Sequence, residues 1–331
     1  MKILFYGTKN YDKESFDQQL KHFPNIELDY VEAELDTYTV YLANRFDGIC
    51  VFVNCNVTSE IIEILGKLHV KLILLRCAGF NNVDLNACKK HQITVMRVPN
   101  YSPEAVAEMA MALALSVNRK LHKAYIKVRE NNFALSGLTG ITLFQKTAGI
   151  IGIGKIGLAM AKICHGFGMK VIAYDKYPSK QLPFIEYVSL NELLQHADLI
   201  SLHCPLNNET HHIINESTIS CMKDGVILVN TSRGGLIKTE DLIKGIRDHK
   251  FFGVALDVYE EEGDYVFENL EDDILEHSTT ARLLSFPNVI VTSHQGFLTK
   301  EALEAISRVT LENALSFEKH QLIDENVVKL S

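Results

Sequence analysis

Along the first hundred residues, short unbroken apolar runs alternate with stretches in which apolar positions recur at helical spacing. KILFYG (2–7), GICVFVN (48–54), KLILLRCAG (71–79) and ITVMRVPN (93–100) predict buried strands. KESFDQQLKHF (13–23), TSEIIEILGKL (58–68) and VDLNACKKH (83–91) predict the helices between them. Strands that read as continuous hydrophobic runs are buried on both faces, so this alternation implies a parallel sheet covered by helices. No repeat of solenoid period and no low-complexity segment interrupts it.

VPNYSPEAVAEMAMALALSVNRKL (98–121) then predicts a long helix, with Ser102 as N-cap and Pro103 in the first turn. Between Ala105 and Val117 the only charge is Glu108, so the helix must be buried, either in a core or against a second subunit. From residue 147 the alternation resumes. TAGIIGIG, KVIAYD, DLISLHCP, GVILVNTSR, GVALDVYE and NVIVTSHQ predict strands, with helices such as 155–167 and 239–247 between several of them. The closing stretch KEALEAISRVTLENALSFEKH (300–320) predicts an amphipathic helix with no strand of its own, which must pack elsewhere.

Gly152, Gly154 and Gly157 form G-x-G-x-x-G directly after a strand and at the mouth of a helix. The first glycine permits a tight turn, the second lets a pyrophosphate approach the backbone, and the third seats the helix close to the strand. The helix N-terminus offers free N–H groups and a partial positive charge to the phosphates. Asp175 ends the next strand, where a carboxylate accepts hydrogen bonds from ribose hydroxyls and repels a 2′-phosphate. NAD is therefore expected in preference to NADP, although Lys176 next door pulls the other way.

Four later strands deliver a polar residue as the apolar run ends: His203, Arg233, Asp257 and His294. In an open parallel sheet these ends share one edge, where ligands bind. An arginine there can form a bidentate pair with a carboxylate, and a histidine can carry the proton that must accompany a hydride. Glu260, Glu261 and Glu262 follow Asp257, and spacing alone does not choose which of them orients a histidine.

Composition narrows the function. The chain has 331 residues, enough for two domains, and a formal charge of −8, which argues against a nucleic-acid surface. Its seven cysteines are scattered without a CxxC pair, as in reduced cytosolic proteins and unlike zinc sites or disulfide frameworks. No stretch approaches a membrane span and the N-terminus lacks a signal-peptide core, so a cytoplasmic protein without membrane or nucleic-acid partners is expected.

LRCAGFNNVD, RVPNYSPEAVAE, GIIGIGKIG, ISLHCPL, VNTSRGGLI, LDVYE and HQGFLT together resemble the D-2-hydroxyacid dehydrogenases, most closely the fermentative D-lactate dehydrogenases, over essentially the whole chain. The resemblance implies an α/β protein of two doubly wound, Rossmann-like parallel-sheet domains. Residues 1–99 and 298–331 would form the substrate domain, with an NAD domain, 100–297, inserted into it and substrate in the cleft. It implies that Arg233 binds substrate, that His294 is the acid/base, and that Glu262 is its partner. Tyr101 and the backbone N–H groups of Ala78 and Gly79 would also bind the 2-oxo acid. The NAD site would comprise Gly152, Gly154, Lys155, Ile156, Gly157, Asp175, His203, Cys204, Pro205, Thr210, Thr231, Ser232 and Asp257; no metal is implied.

The expected reaction is reversible reduction of pyruvate to D-lactate by NADH. The helix after Ser102 would build a homodimer core that further association could extend to a homotetramer. Two alternatives stand beside this: a dehydrogenase for bulkier 2-oxo acids, and an NAD-sensing, non-catalytic interaction protein. Formate dehydrogenases share the fold but lack the glutamate assigned to Glu262.

Overall fold

The computed structural model describes residues 1–178, 182–267, 269–272 and 278–329. Residues 330 and 331, the end of the expected substrate domain, lie outside them. The chain forms two compact units, Met1–Ser102 with Leu298–Ser331, and Pro103–Phe297. It passes from one to the other after Ser102 and back after Phe297, against expected crossings after residues 99 and 297.

The first unit runs β1 (Lys2–Phe5), α1 (Asn10–Leu20), β2 (Glu27–Tyr30), β3 (Gly48–Val51), α2 (Ser59–Lys67), β4 (Leu72–Leu75), α3 (Leu85–Lys90) and β5 (Thr94–Arg97). Its five strands are all parallel, in the order β2-β1-β3-β4-β5. β4, LILL, sits inside the sheet and every one of its side chains is buried, each worth about 1.5–3 kcal/mol. β2, ELDY, is an edge strand with no buried position, so it carries no apolar run for a sequence reading to find.

Arg76, directly after β4, is a buried cation. Its guanidinium donates to the carbonyl oxygens of Tyr6 and Gly7, lies 3.5 Å from Asp12, and sits 4.4 Å and 4.8 Å from the rings of Phe5 and Phe52. A charge at that depth is tolerated only because it is paired and hydrogen-bonded. It ties the end of β4 to the end of β1, immediately before Ala78 and Gly79.

The second unit opens with α4 (Pro103–Arg119) and α5 (Leu121–Arg129). It continues through β6 (Thr147–Ile151), α6 (Lys155–Gly166), β7 (Lys170–Tyr174), β8 (Ile185–Tyr187), α7 (Leu190–His196) and β9 (Leu199–Leu202). Then come α8 (Glu216–Cys221), β10 (Val226–Asn230), α9 (Thr239–Arg247), β11 (Phe251–Leu256), α10 (Ser278–Ser285) and β12 (Val289–Val291). The strands are again all parallel, in the order β12-β11-β10-β9-β6-β7-β8. The order reverses direction between β6 and β9, which leaves a crevice at their carboxyl ends.

α4 starts at Pro103, and it buries Ala107, Ala110, Met111, Leu113, Ala114 and Val117 against α6, β10 and β11 of its own unit. The fit is close: a Cβ built on Gly253 of β11 would come within 2.6 Å of Val117. The core of this unit thus accounts for most of the helix's apolar face. The largest exposed apolar side chains of the region, Leu121, Tyr125, Phe133 and Leu135, belong to α5 and the segment after it.

The last helix, α11 (Lys300–Glu318), returns to the first unit, where it packs on α1, β4 and β5. Thr299 caps it by accepting from the Ala302 N–H, and Ser15 of α1 donates to the Leu303 carbonyl. All seven cysteines are free thiols. Among the described residues no helix is long and apolar enough to cross a membrane.

Candidate active site

The three glycines of the loop after β6 do different work. Gly152 has φ +93, a left-handed conformation that favours glycine, and a Cβ there would meet the Cys204 backbone nitrogen at 2.6 Å. A Cβ on Gly157 would lie 1.9 Å from the Gly152 carbonyl oxygen, so only glycine lets α6 sit this close to the turn. A Cβ on Gly154, the N-cap of α6, would meet nothing within 4 Å. That open side is where a phosphate could approach the first-turn N–H groups around Lys155 and Ile156.

Asp175 follows β7 directly. One carboxylate oxygen accepts from the Ile153 N–H at 2.7 Å and the other from the Tyr177 N–H at 2.8 Å, which fixes the carboxylate beside the glycine turn. Each oxygen retains a lone pair for a further donor. Gly152, Gly154, Asp175, His203, Cys204, Pro205 and Thr210 line one cavity of about 500 Å³. Tyr177, Asn207 and Glu209 also line it. The sequence reading did not single out these three, although their position just after Asp175 and Pro205 was a usable signal.

Burial pushes the His203 imidazole down to about 4 and the Cys204 thiol up to about 11, so both stay neutral near pH 7. His203 Nε2 shares a hydrogen bond of 2.8 Å with Ser201. Because the folded histidine resists a proton that the unfolded chain accepts, its contribution to stability is complete above about pH 6.5 and is lost as pH falls towards about 4. His203→Gln should therefore flatten the fall in Tm between pH 6.5 and 4, by up to about 3 kcal/mol in unfolding free energy. Thermal scans across that range check this, and an unchanged acid slope would contradict it.

The next stretch of the edge follows β10. The Thr231 hydroxyl is buried with no hydrogen-bond partner among the described residues, an orphan that a bound group would satisfy. Ser232 donates to the Cys204 carbonyl at 2.8 Å and so ties this loop to the cavity wall. One amino group of Arg233 donates to the Ser232 carbonyl at 2.7 Å, and the rest of the guanidinium has no partner among the described residues. Gly234 allows a close approach that the sequence reading missed: a Cβ there would lie 2.1 Å from the Tyr259 carbonyl oxygen. The arginine loop is thereby pressed against the segment that carries the three glutamates.

The structure separates those three. Glu260 accepts from the Thr239 N–H and bonds His212 at 2.6 Å, and Glu261 meets the Thr239 hydroxyl at 3.1 Å. Glu262 alone of the three is paired with His294, with an oxygen 3.3 Å from Nδ1. Both members are about four-fifths buried, at 19% and 17% side-chain exposure. His294 itself has φ +55, a left-handed backbone seldom adopted by a non-glycine residue.

Asp257 holds that conformation in place. Its carboxylate, 1% exposed, accepts from the Thr292 hydroxyl and from the Gln295 and Gly296 N–H groups, while its carbonyl accepts from the His294 N–H. The carboxylate therefore braces the histidine loop, whatever else it touches.

Ala78, Gly79 and Tyr101 lie in the first unit, after β4 and β5. Arg97 donates to the Ala78 carbonyl at 2.8 Å, and the Cys77 thiol to the Gly79 carbonyl at 3.3 Å. The N–H groups of Ala78 and Gly79 have no partner among the described residues, which suits them to an anion.

The arrangement in Pro103–Phe297 fits a dinucleotide: an open glycine turn at a helix N-terminus, a fixed carboxylate beside it, and an orphaned hydroxyl further along the edge. It also presents a partly unpaired guanidinium and a histidine–carboxylate pair. Comparison with known proteins agrees. Residues 111–296 match the family model of the D-isomer specific 2-hydroxyacid dehydrogenase, NAD binding domain. D-lactate dehydrogenase of Escherichia coli is 45% identical over 330 residues, 99% of this chain and 100% of that protein. Its apo structure superposes with a TM-score of 0.90 at 44% identity, covering 99% of this chain and 100% of that one. The D-lactate dehydrogenase of Aquifex aeolicus, solved with NAD and lactic acid, gives 0.87 at 35% identity, covering 99% and 100%. The chain thus belongs to the D-isomer specific 2-hydroxyacid dehydrogenases, and the stretch that matches their NAD binding domain carries Arg233, Glu262 and His294.

Proposed function

We propose that this enzyme is an NAD-dependent D-lactate dehydrogenase that interconverts pyruvate and D-lactate. Arg233 binds the substrate carboxylate and carbonyl, His294 is the acid/base, and Glu262 is its partner. The observation that carries this reading is the His294–Glu262 pair, held by a loop that Asp257 braces. A bound nicotinamide dinucleotide supplies hydride exchange at the substrate carbon. Arg233 contributes a planar fork that matches a carboxylate and polarises the carbonyl as negative charge grows on its oxygen. His294 gives its proton to that oxygen in reduction and takes it back in oxidation.

Glu262 holds the ring in one orientation, as a carboxylate beside a catalytic histidine does. In the other unit, the free N–H groups of Ala78 and Gly79, with Tyr101, bind the substrate carboxylate; that unit is the substrate domain. Asp175 selects NAD over NADP. We place the enzyme in the cytoplasm as a homo-oligomer, with the exposed apolar side chains of α5 available to that association.

Oxidation of NADH across a panel of 2-oxo acids tests the substrate. Pyruvate should give the highest kcat/KM and D-lactate as product; a preference for branched or aromatic 2-oxo acids would move the assignment to a bulkier substrate. Glu262→Gln tests the pair. Without the carboxylate the ring is no longer held towards the substrate, so kcat/KM should fall about 10- to 100-fold at neutral pH while the Kd for NADH stays within about twofold. An unchanged kcat/KM would remove Glu262 from this role.

A further inference from the structure

Lys176 stands where a 2′-phosphate would meet a cation, yet its ammonium is already taken. It lies 2.5 Å from both carboxylate oxygens of Glu209. Lys176 follows β7 and Glu209 lies in the loop after β9, and both line the cavity that Asp175 also lines. The two side chains remain 50% and 62% exposed, which puts the pair at the solvent-facing rim of that cavity.

The backbone at Glu209 is held locally. The Asn207 side-chain oxygen accepts from the Glu209 N–H at 2.9 Å and the Thr210 N–H at 3.1 Å. The Thr210 hydroxyl donates to the Pro205 carbonyl at 2.6 Å and accepts from the Asn207 N–H at 2.9 Å. These local bonds fix the course of the loop, from which the Glu209 carboxylate reaches Lys176. An exposed ion pair adds little to folding stability, so the pair can be altered without unfolding the chain.

We propose that Glu209 is a second determinant of cofactor choice, which masks the Lys176 ammonium so that it cannot pair with the 2′-phosphate of NADP. Asp175 repels that phosphate and Glu209 withholds the cation that would offset the repulsion. This rests on the reading of the cavity as the adenosine-ribose site.

The test is binding rather than turnover. Calorimetry at low ionic strength gives Kd for ADP-ribose and for 2′-phospho-ADP-ribose with the wild-type chain, Glu209→Gln, and the Glu209→Gln/Lys176→Gln double variant. In Glu209→Gln the phosphorylated ligand should bind about tenfold tighter than to wild type, with ADP-ribose within about twofold. The gain should shrink in about 0.5 M salt. It should vanish in the double variant, and Tm should not move in either.

If the ratio of the two Kd values is unchanged in Glu209→Gln while ADP-ribose binds normally, this proposal alone is overturned. A gain that survives loss of Lys176 also overturns it. Failure of the wild-type chain to bind ADP-ribose overturns the underlying site reading and this proposal with it.

Discussion

Arg233→Gln is expected to lower kcat/KM for pyruvate reduction by about 10³-fold, a loss of about 4 kcal/mol of transition-state stabilisation. The dissociation constant for NADH should stay within about threefold. The backbone of the arginine loop is held independently of the guanidinium, through Asn230 donating to the Arg233 carbonyl and the close passage of Gly234 past Tyr259. Truncating the fork therefore leaves the wall that Ser232 makes with Cys204 in place. Arg233→Lys keeps the charge without the planar pair of donors and should recover only part of the loss. A fall in NADH affinity comparable to the fall in kcat/KM would make the arginine a structural element of the cofactor wall.

The second large effect is expected from two alanine substitutions only three residues apart. In Gly157→Ala the new methyl meets the Gly152 carbonyl oxygen at 1.9 Å, a backbone atom held by the hydrogen bond from the Gly152 N–H to Tyr174. Neither partner can yield without parting α6 from the turn, so we expect a loss on the order of 3 kcal/mol or more. For a unit of this size that is a fall in Tm of roughly 6–12 °C, together with loss of NADH binding. In Gly154→Ala the methyl meets no protein atom, so Tm should hold while NADH affinity falls, because the methyl occupies the open side of the turn. Thermal unfolding and NADH titration of both variants decide the matter. If Gly154→Ala proves the more destabilising, this division of labour is wrong.

The central strands were legible because a strand covered on both faces must be apolar throughout, as LILL in β4 is. β2 and β8 were not, because edge strands expose much of their length: β8 is only Ile185–Tyr187, with a single buried position. The glycine turn and Asp175 were legible because their chemistry depends on local spacing. The choice among Glu260, Glu261 and Glu262 was closed to spacing, since all three follow one strand within three positions. It is made by a partner 32 to 34 residues further on and by Thr239 and His212 from other elements. Gly234 and Arg76 escaped for a related reason. One is explained by a backbone atom in a distant segment, the other by carbonyls at the end of a strand seventy residues earlier.

The return of α11 to the first unit has a consequence for synthesis. Ser15 finds the Leu303 carbonyl across 288 residues of chain, so the flank of α1, β4 and β5 stays uncovered until the last segment is made. At about 5–20 residues per second, a ribosome needs roughly 10–40 s to translate the intervening unit. During that interval the nascent segment Met1–Ser102 carries an open apolar side, while the inserted unit can finish folding ahead of it. The part of the protein made first is thus the part completed last.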